Sequence, residues 1–189
     1  SIELYMDQVT TFMDKYLSRN KRYEEDKTLT KTMINNYTKN NLLPPPEKKR
    51  YTKEHLILLI YIYYLKNVIS ISDIQIMLKP LIDHYFGNSD APHNLEEIYA
   101  SLYKLEQHQH FRVENSVVKT LELSEHDFPG VEDKYIKNLN FLSLLGYDIF
   151  IKKKIMEQII DEMAAEQSKE QEQQNGKEKK IREENKRRK

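Results

Sequence analysis

Half of the six prolines in this chain of 189 residues stand in one block, Pro44-Pro45-Pro46, and only four glycines are present. Proline fixes its own φ, removes an N–H and pushes the residue before it out of helical space. The block therefore forces one extended segment. The scarcity of both residue types elsewhere leaves room for long uninterrupted elements on either side.

Apolar spacing says what those elements are. From Glu3 to Ser18 the apolar residues are Tyr5, Val9, Phe12, Met13, Tyr16 and Leu17, a helical period with one inner face. Ser18 to Lys27 is polar and reads as a loop. Thr30 can cap a short helix, Lys31–Asn40, whose inner side holds Met33, Ile34 and Tyr37. After the prolines, Tyr51 leads into a helix with Thr52 as its N-cap. That helix is apolar nearly all round, from Leu56 to Leu65, so it is expected at the centre.

Ser70 or Ser72 caps the next helix, which Pro80 is expected to end or bend. Gly87 to Pro92 reads as a loop. Leu95, Ile98, Tyr99, Leu102 and Leu105 mark another amphipathic helix. Phe111 to Leu123 reads as helix, although Val117-Val118 with polar flanks also suits a strand. Phe128-Pro129-Gly130 is a turn, and helical spacing resumes from Val131 to about Glu166, with a break expected near Gly146. Glu166 to Lys189 holds one large apolar residue, Ile181, among nine cations and six acids, so disorder or a solvated helix is expected there.

The fold expected is mainly all-α. The boundaries expected are a first domain over 1–82, a helical domain over 83–165 serving dimerisation or sensing, and a charged tail over 166–189.

Composition removes several functions. No cysteine is present, which excludes a disulfide framework, a thiol nucleophile and Cys-ligated zinc or iron–sulfur sites. No two glycines lie close enough for a GxGxxG or GxxxxGK[ST] phosphate loop. His108 and His110, two apart, point to different faces of a helix and do not make a metal site. No cofactor, no metal and no enzymatic activity are expected. The longest apolar run, Leu56–Leu65, is half the roughly 20 residues that span a bilayer. The first thirteen residues lack a signal pattern, so a cytoplasmic protein without a membrane partner is expected.

The most informative stretch is Thr28–Leu81. It contains the helix Lys31–Asn40, then Leu42-Leu43-Pro44, then Lys48-Lys49-Arg50-Tyr51, then two helices joined through Leu65-Lys66 and Ile69-Ser70-Ile71 to Ile74. In that order and spacing it resembles the N-terminal winged-helix DNA-binding domain of the MerR family of bacterial regulators. The resemblance implies a recognition helix at 31–40, a short basic wing at 48–51, duplex DNA as partner, and dimerisation through a C-terminal helix. The chain to about residue 165, with its LLPPP block, is also similar to a family from low-GC Gram-positive bacteria catalogued as a domain of unknown function, number eighteen-thirty-six. Where MerR regulators carry an Arg-Tyr pair on the recognition helix, this chain has Asn35 and Asn36, and Asn41 replaces the usual glycine.

Charge distribution sharpens the DNA expectation. The net charge is zero, yet residues 27–56 hold seven cations against two acids, and residues 83–135 hold eleven acids against four cations. Cations near phosphates supply affinity and base edges supply sequence information. On the recognition helix Lys31, Thr32, Asn35, Asn36, Thr38 and Lys39 lie off the apolar face, and asparagine can pair bidentately with adenine. Lys48, Lys49, Arg50 and Lys53 complete the candidate interface. Tyr37 and Tyr51 suit packing, and the triple proline suits a rigid connector. The Asn35-Asn36 departure and the acidic middle leave a second reading open, a protein-interaction module that keeps the shape without binding DNA.

Overall fold

The computed structural model describes residues 2–126 and 133–187. Six α-helices, one two-stranded sheet and a short 3-10 helix (Ser18–Asn20), at the start of the segment expected as loop, account for the described regular structure. In order they are β1 (Glu3–Leu4), α1 (Met6–Leu17), α2 (Lys31–Lys39), β2 (Tyr51–Thr52), α3 (Lys53–Leu65), α4 (Ile71–Tyr85), α5 (Leu95–His126) and α6 (Lys134–Arg187). The mainly all-α expectation holds.

The first helix starts later than its apolar spacing suggests. Glu3 and Leu4 pair antiparallel with Thr52 and Tyr51, and the backbone N–H of Tyr5 donates to Gln8 Oε1 at 2.9 Å, which opens α1 at Met6. Val9, Met13 and Leu17 are buried, as their four-residue spacing requires. Tyr5, Phe12 and Tyr16, expected on the same face, are about half exposed instead. Six apolar residues in sixteen make a wider stripe than one small head can cover.

The head is built around α3. Leu56 to Ile60 and Ile62 are all buried, and α1, α2 and α4 supply Met13, Ile34 and Ile74 to the same core. Tyr51 belongs to β2 rather than to the helix after it. Thr52 caps α3, its backbone N–H donating to Nδ1 of His55. Ser70 Oγ caps α4 by accepting from the Asp73 N–H at 3.1 Å, and the Asp73 carboxylate accepts from the Ser70 N–H in return.

Pro80 neither ends α4 nor leaves it with an orphan. The helix runs on to Tyr85. A proline at position 80 cannot donate to the carbonyl of Ile76, and Gln167 Nε2, arriving from α6, donates to that carbonyl at 2.8 Å.

The segments around Leu95 and Phe111–Leu123 form one continuous helix, α5. It leaves the head at buried Leu95, with Tyr99 edge-on to Tyr61 of α3. The turn expected at 128–130 lies outside the described residues. Helix α6 packs along α5 and returns to α4 through half-buried Met156 and buried Ile160. It passes Gly146 without a break and continues through the charged segment as a helix to Arg187, exposed over residues 168–179.

Candidate nucleic-acid interface

Helix α2 is fixed from below and presents its polar side outward. Thr30 Oγ1 accepts the Met33 N–H at 3.2 Å, while Ile34 and Tyr37 are buried against the core. That burial raises the Tyr37 phenol pKa, so Tyr37 stays a neutral packing residue. Asn41 closes the helix with φ +54°, the left-handed position where glycine is commonest. The N–H groups of Leu42 and Leu43 then both donate to the Tyr37 carbonyl, at 2.9 and 3.2 Å, and their side chains are buried. The prolines carry the chain away from α2 into a tight turn.

That turn is Glu47-Lys48-Lys49-Arg50. The Arg50 N–H donates to the Glu47 carbonyl at 2.8 Å, and Lys48 and Lys49 have φ of +47° and +65°. Two consecutive left-handed residues are the pattern of a type I′ turn, which normally takes Asn-Gly. Two lysines there cost about 1–2 kcal/mol each in backbone strain. The turn nevertheless holds both ammonium groups on its exposed tip.

The ten residues singled out in the sequence separate into groups. Asn35, Thr38 and Lys39 from α2 meet Lys49 from the turn across a cleft of about 610 Å³, whose lining also includes Tyr5, Met6, Asp7, Pro46 and Tyr51. Lys31, Thr32 and Asn36 are exposed elsewhere on α2, with Lys31 ion-paired to Asp7 of α1. Thr38 spends its hydroxyl hydrogen on the Ile34 carbonyl, 3.3 Å away. Lys48 and Arg50 border a second cleft of about 410 Å³ on the other side of the turn. Arg50 donates to Glu3 at 2.6 Å and lies 5.8 Å from the centre of the Tyr5 ring. Lys53 does not join either group, because it pairs with Glu96 of α5. Among the described residues, Lys39, Lys48 and Lys49 carry no ion pair.

Tyr5 is the site residue that sequence reasoning placed wrongly. Its ring is 52 % exposed at the mouth of the cleft, where apolar spacing put it inside. The usable signal is Gln8, three residues on, whose side chain marks Tyr5 as the residue before a helix.

His55 anchors the turn from behind. It is 2 % exposed, with the rings of Tyr51 and Phe86 set edge-on at 5.3 and 4.8 Å. Nδ1 accepts the Thr52 N–H at 3.0 Å, so the neutral ring carries its proton on Nε2. Nε2 faces the carbonyls of Pro44 and Pro45 without closing a hydrogen bond to either. Burial pushes the pKa of His55 below the usual histidine value, and the two carbonyls offset part of that shift. His108 and His110 are exposed, and His110 Nε2 lies 3.1 Å from Glu114. Among the described residues no three His, Asp or Glu side chains converge as metal ligands, and no helix is long and apolar enough to cross a membrane.

Residues 1–102 match a family model described as a domain of unknown function, DUF1836. No curated protein and no solved structure matches the chain.

Proposed function

Since the chain belongs to the DUF1836 family, whose description assigns no activity, the residues themselves must carry the argument, and from them we propose a non-enzymatic cytoplasmic regulator that binds duplex DNA. The head over residues 1–82 reads DNA in the winged-helix manner of MerR regulators, with α2 in the major groove and the 47–50 turn as the wing. Two copies bind together on a two-fold site.

The single observation that carries the reading is the cleft between α2 and the turn. It brings Asn35 and Lys39 to one side and Lys49 to the other, with an exposed aromatic ring at its mouth. One sugar–phosphate strand fits that arrangement: lysines for the phosphates, Tyr5 for a deoxyribose, and Asn35 for a base edge. The strain accepted at Lys48 and Lys49 supports the same reading, because strained backbone persists where function needs it.

A protein-interaction module with the same shape is the second reading. It is favoured by the ion pairs that occupy Lys31, Arg50 and Lys53, three of the six candidate cations. Titrating the protein into a pool of labelled duplexes at low salt separates the two. The DNA reading expects saturable binding weakened by salt, with Asn35→Ala changing sequence preference. The second reading expects no binding at any salt, and a stoichiometric protein partner instead.

A further inference from the structure

The second cleft beside the 47–50 turn has a volume of about 410 Å³, within the roughly 300–1,000 Å³ of small-molecule sites. The DNA reading makes no use of its space. The turn, the start of α3 and the residues that follow α4 all line it. Its apolar surface includes Pro45 and Phe86. Phe86 is held edge-on to the buried His55 ring, with 4.8 Å between ring centres. A proline and a clamped ring have little freedom left to lose, so a ligand does not have to order them.

Five charged side chains line the cleft, and they do not all cancel. Glu3 and Arg50 pair with each other at 2.6 Å. Among the described residues Glu47, Lys48 and Glu54 are in no ion pair. Glu54 is half-buried, and its carboxylate accepts the Gly87 N–H at 2.9 Å, which fixes it against the end of α4. Lys48 is exposed on the turn, with its backbone at φ +47°. One apolar cleft thus holds a fixed carboxylate from α3 and an unpaired ammonium from the turn.

We propose that this cleft binds a free α-amino acid with an apolar side chain. The ligand's ammonium pairs with Glu54, its carboxylate with Lys48, and its side chain lies against Phe86 and Pro45. The charge set selects a zwitterion. A simple anion meets repulsion from Glu47 and Glu54, and a simple cation meets it from Lys48. One small molecule carrying both charges satisfies both groups and leaves the Glu3–Arg50 pair intact. Ligand binding is independent of DNA. Its consequence rests on the reading above: an occupied Lys48 is withdrawn from phosphate, so the amino acid weakens the duplex complex.

Calorimetric titration of the full chain without DNA, with L-phenylalanine and L-leucine at up to about 10 mM, tests the proposal. The expected result is saturable binding of one ligand per chain. Phenethylamine and 3-phenylpropionate each lack one of the two charges, and each should bind at least about 10-fold more weakly than phenylalanine. Glu54→Gln keeps an acceptor for the Gly87 N–H, and Lys48→Asn suits the turn, so both variants should fold. Each should weaken phenylalanine binding by the same factor. Failure of both amino acids to bind overturns the proposal. So does binding indifferent to both variants, or a singly charged analogue that binds as tightly. A chain that binds phenylalanine and no duplex keeps this site and sinks the DNA reading. A chain that binds a duplex and neither amino acid does the reverse.

Discussion

Replacing Lys48 and Lys49 by Asn and Gly should make the protein more stable and a poorer DNA binder at the same time. Both lysines sit at positive φ in the turn, each costing about 1–2 kcal/mol over a residue at ease there. Asn and Gly are the residues a type I′ turn prefers. The extra unfolded-state freedom of glycine returns roughly 0.5–1 kcal/mol of the gain. A net stabilisation of about 1–3 kcal/mol remains, and each kcal/mol raises the melting temperature by about 2–4 °C in a chain of this size. Among the described residues neither lysine is in an ion pair, so no lost salt bridge offsets it. Each phosphate contact contributes about 0.9 to the slope of log K against log salt. Removing two should therefore lower the slope by up to about 1.8. Thermal denaturation and fluorescence anisotropy at several salt concentrations measure the two quantities. An unchanged or lower melting temperature refutes the strain argument, and an unchanged slope refutes the placement of the turn on DNA.

Other outcomes follow from single contacts. His55 has a folded-state pKa below its unfolded value of about 6.5, so the unfolded chain binds more protons below that pH. Its contribution to stability is complete above about pH 6.5 and falls away as pH drops toward the folded pKa. His55→Gln should flatten that part of a urea-denaturation pH profile. Gln167→Ala should cost about 1 kcal/mol by orphaning the Ile76 carbonyl, and almost nothing in a Pro80→Ala background, where residue 80 donates again; a double-mutant cycle by chemical denaturation checks the coupling. Tyr61, whose buried hydroxyl has no partner and whose pKa is pushed up to about 12, should tolerate Tyr61→Phe with unchanged or slightly raised stability in the same assay.

Much of the fold is legible in the sequence, and the exceptions have physical causes. Capping chemistry at Thr30 and Thr52 marks the starts of α2 and α3, and it narrows the start of α4 to Ser70 or Ser72, of which the structure takes Ser70, because a side chain three residues from an orphan N–H is local information. Continuous apolarity put α3 at the centre for the same reason. Periodicity could not show that Glu3 and Leu4 pair with residues nearly fifty positions away, since a two-residue strand has no period of its own. Nor could it show that α4 survives Pro80, because the group that compensates comes from Gln167 on another helix. Gly146 failed to break α6 because a glycine weakens a long helix without interrupting its hydrogen bonds. In the site, the exposed polar side of α2 was readable from its apolar side. The loss of Lys53 to Glu96 and the exposure of Tyr5 were not, since both depend on where distant elements arrive.

The most direct measurement is the equilibrium affinity of the full chain for duplex DNA across a salt series. With Lys39, Lys48 and Lys49 on phosphates, log K should fall linearly with log salt with a slope near −3 per head, at about 0.9 per contact. A folded chain that binds no duplex at low salt, or binds with a flat salt response, would contradict the account.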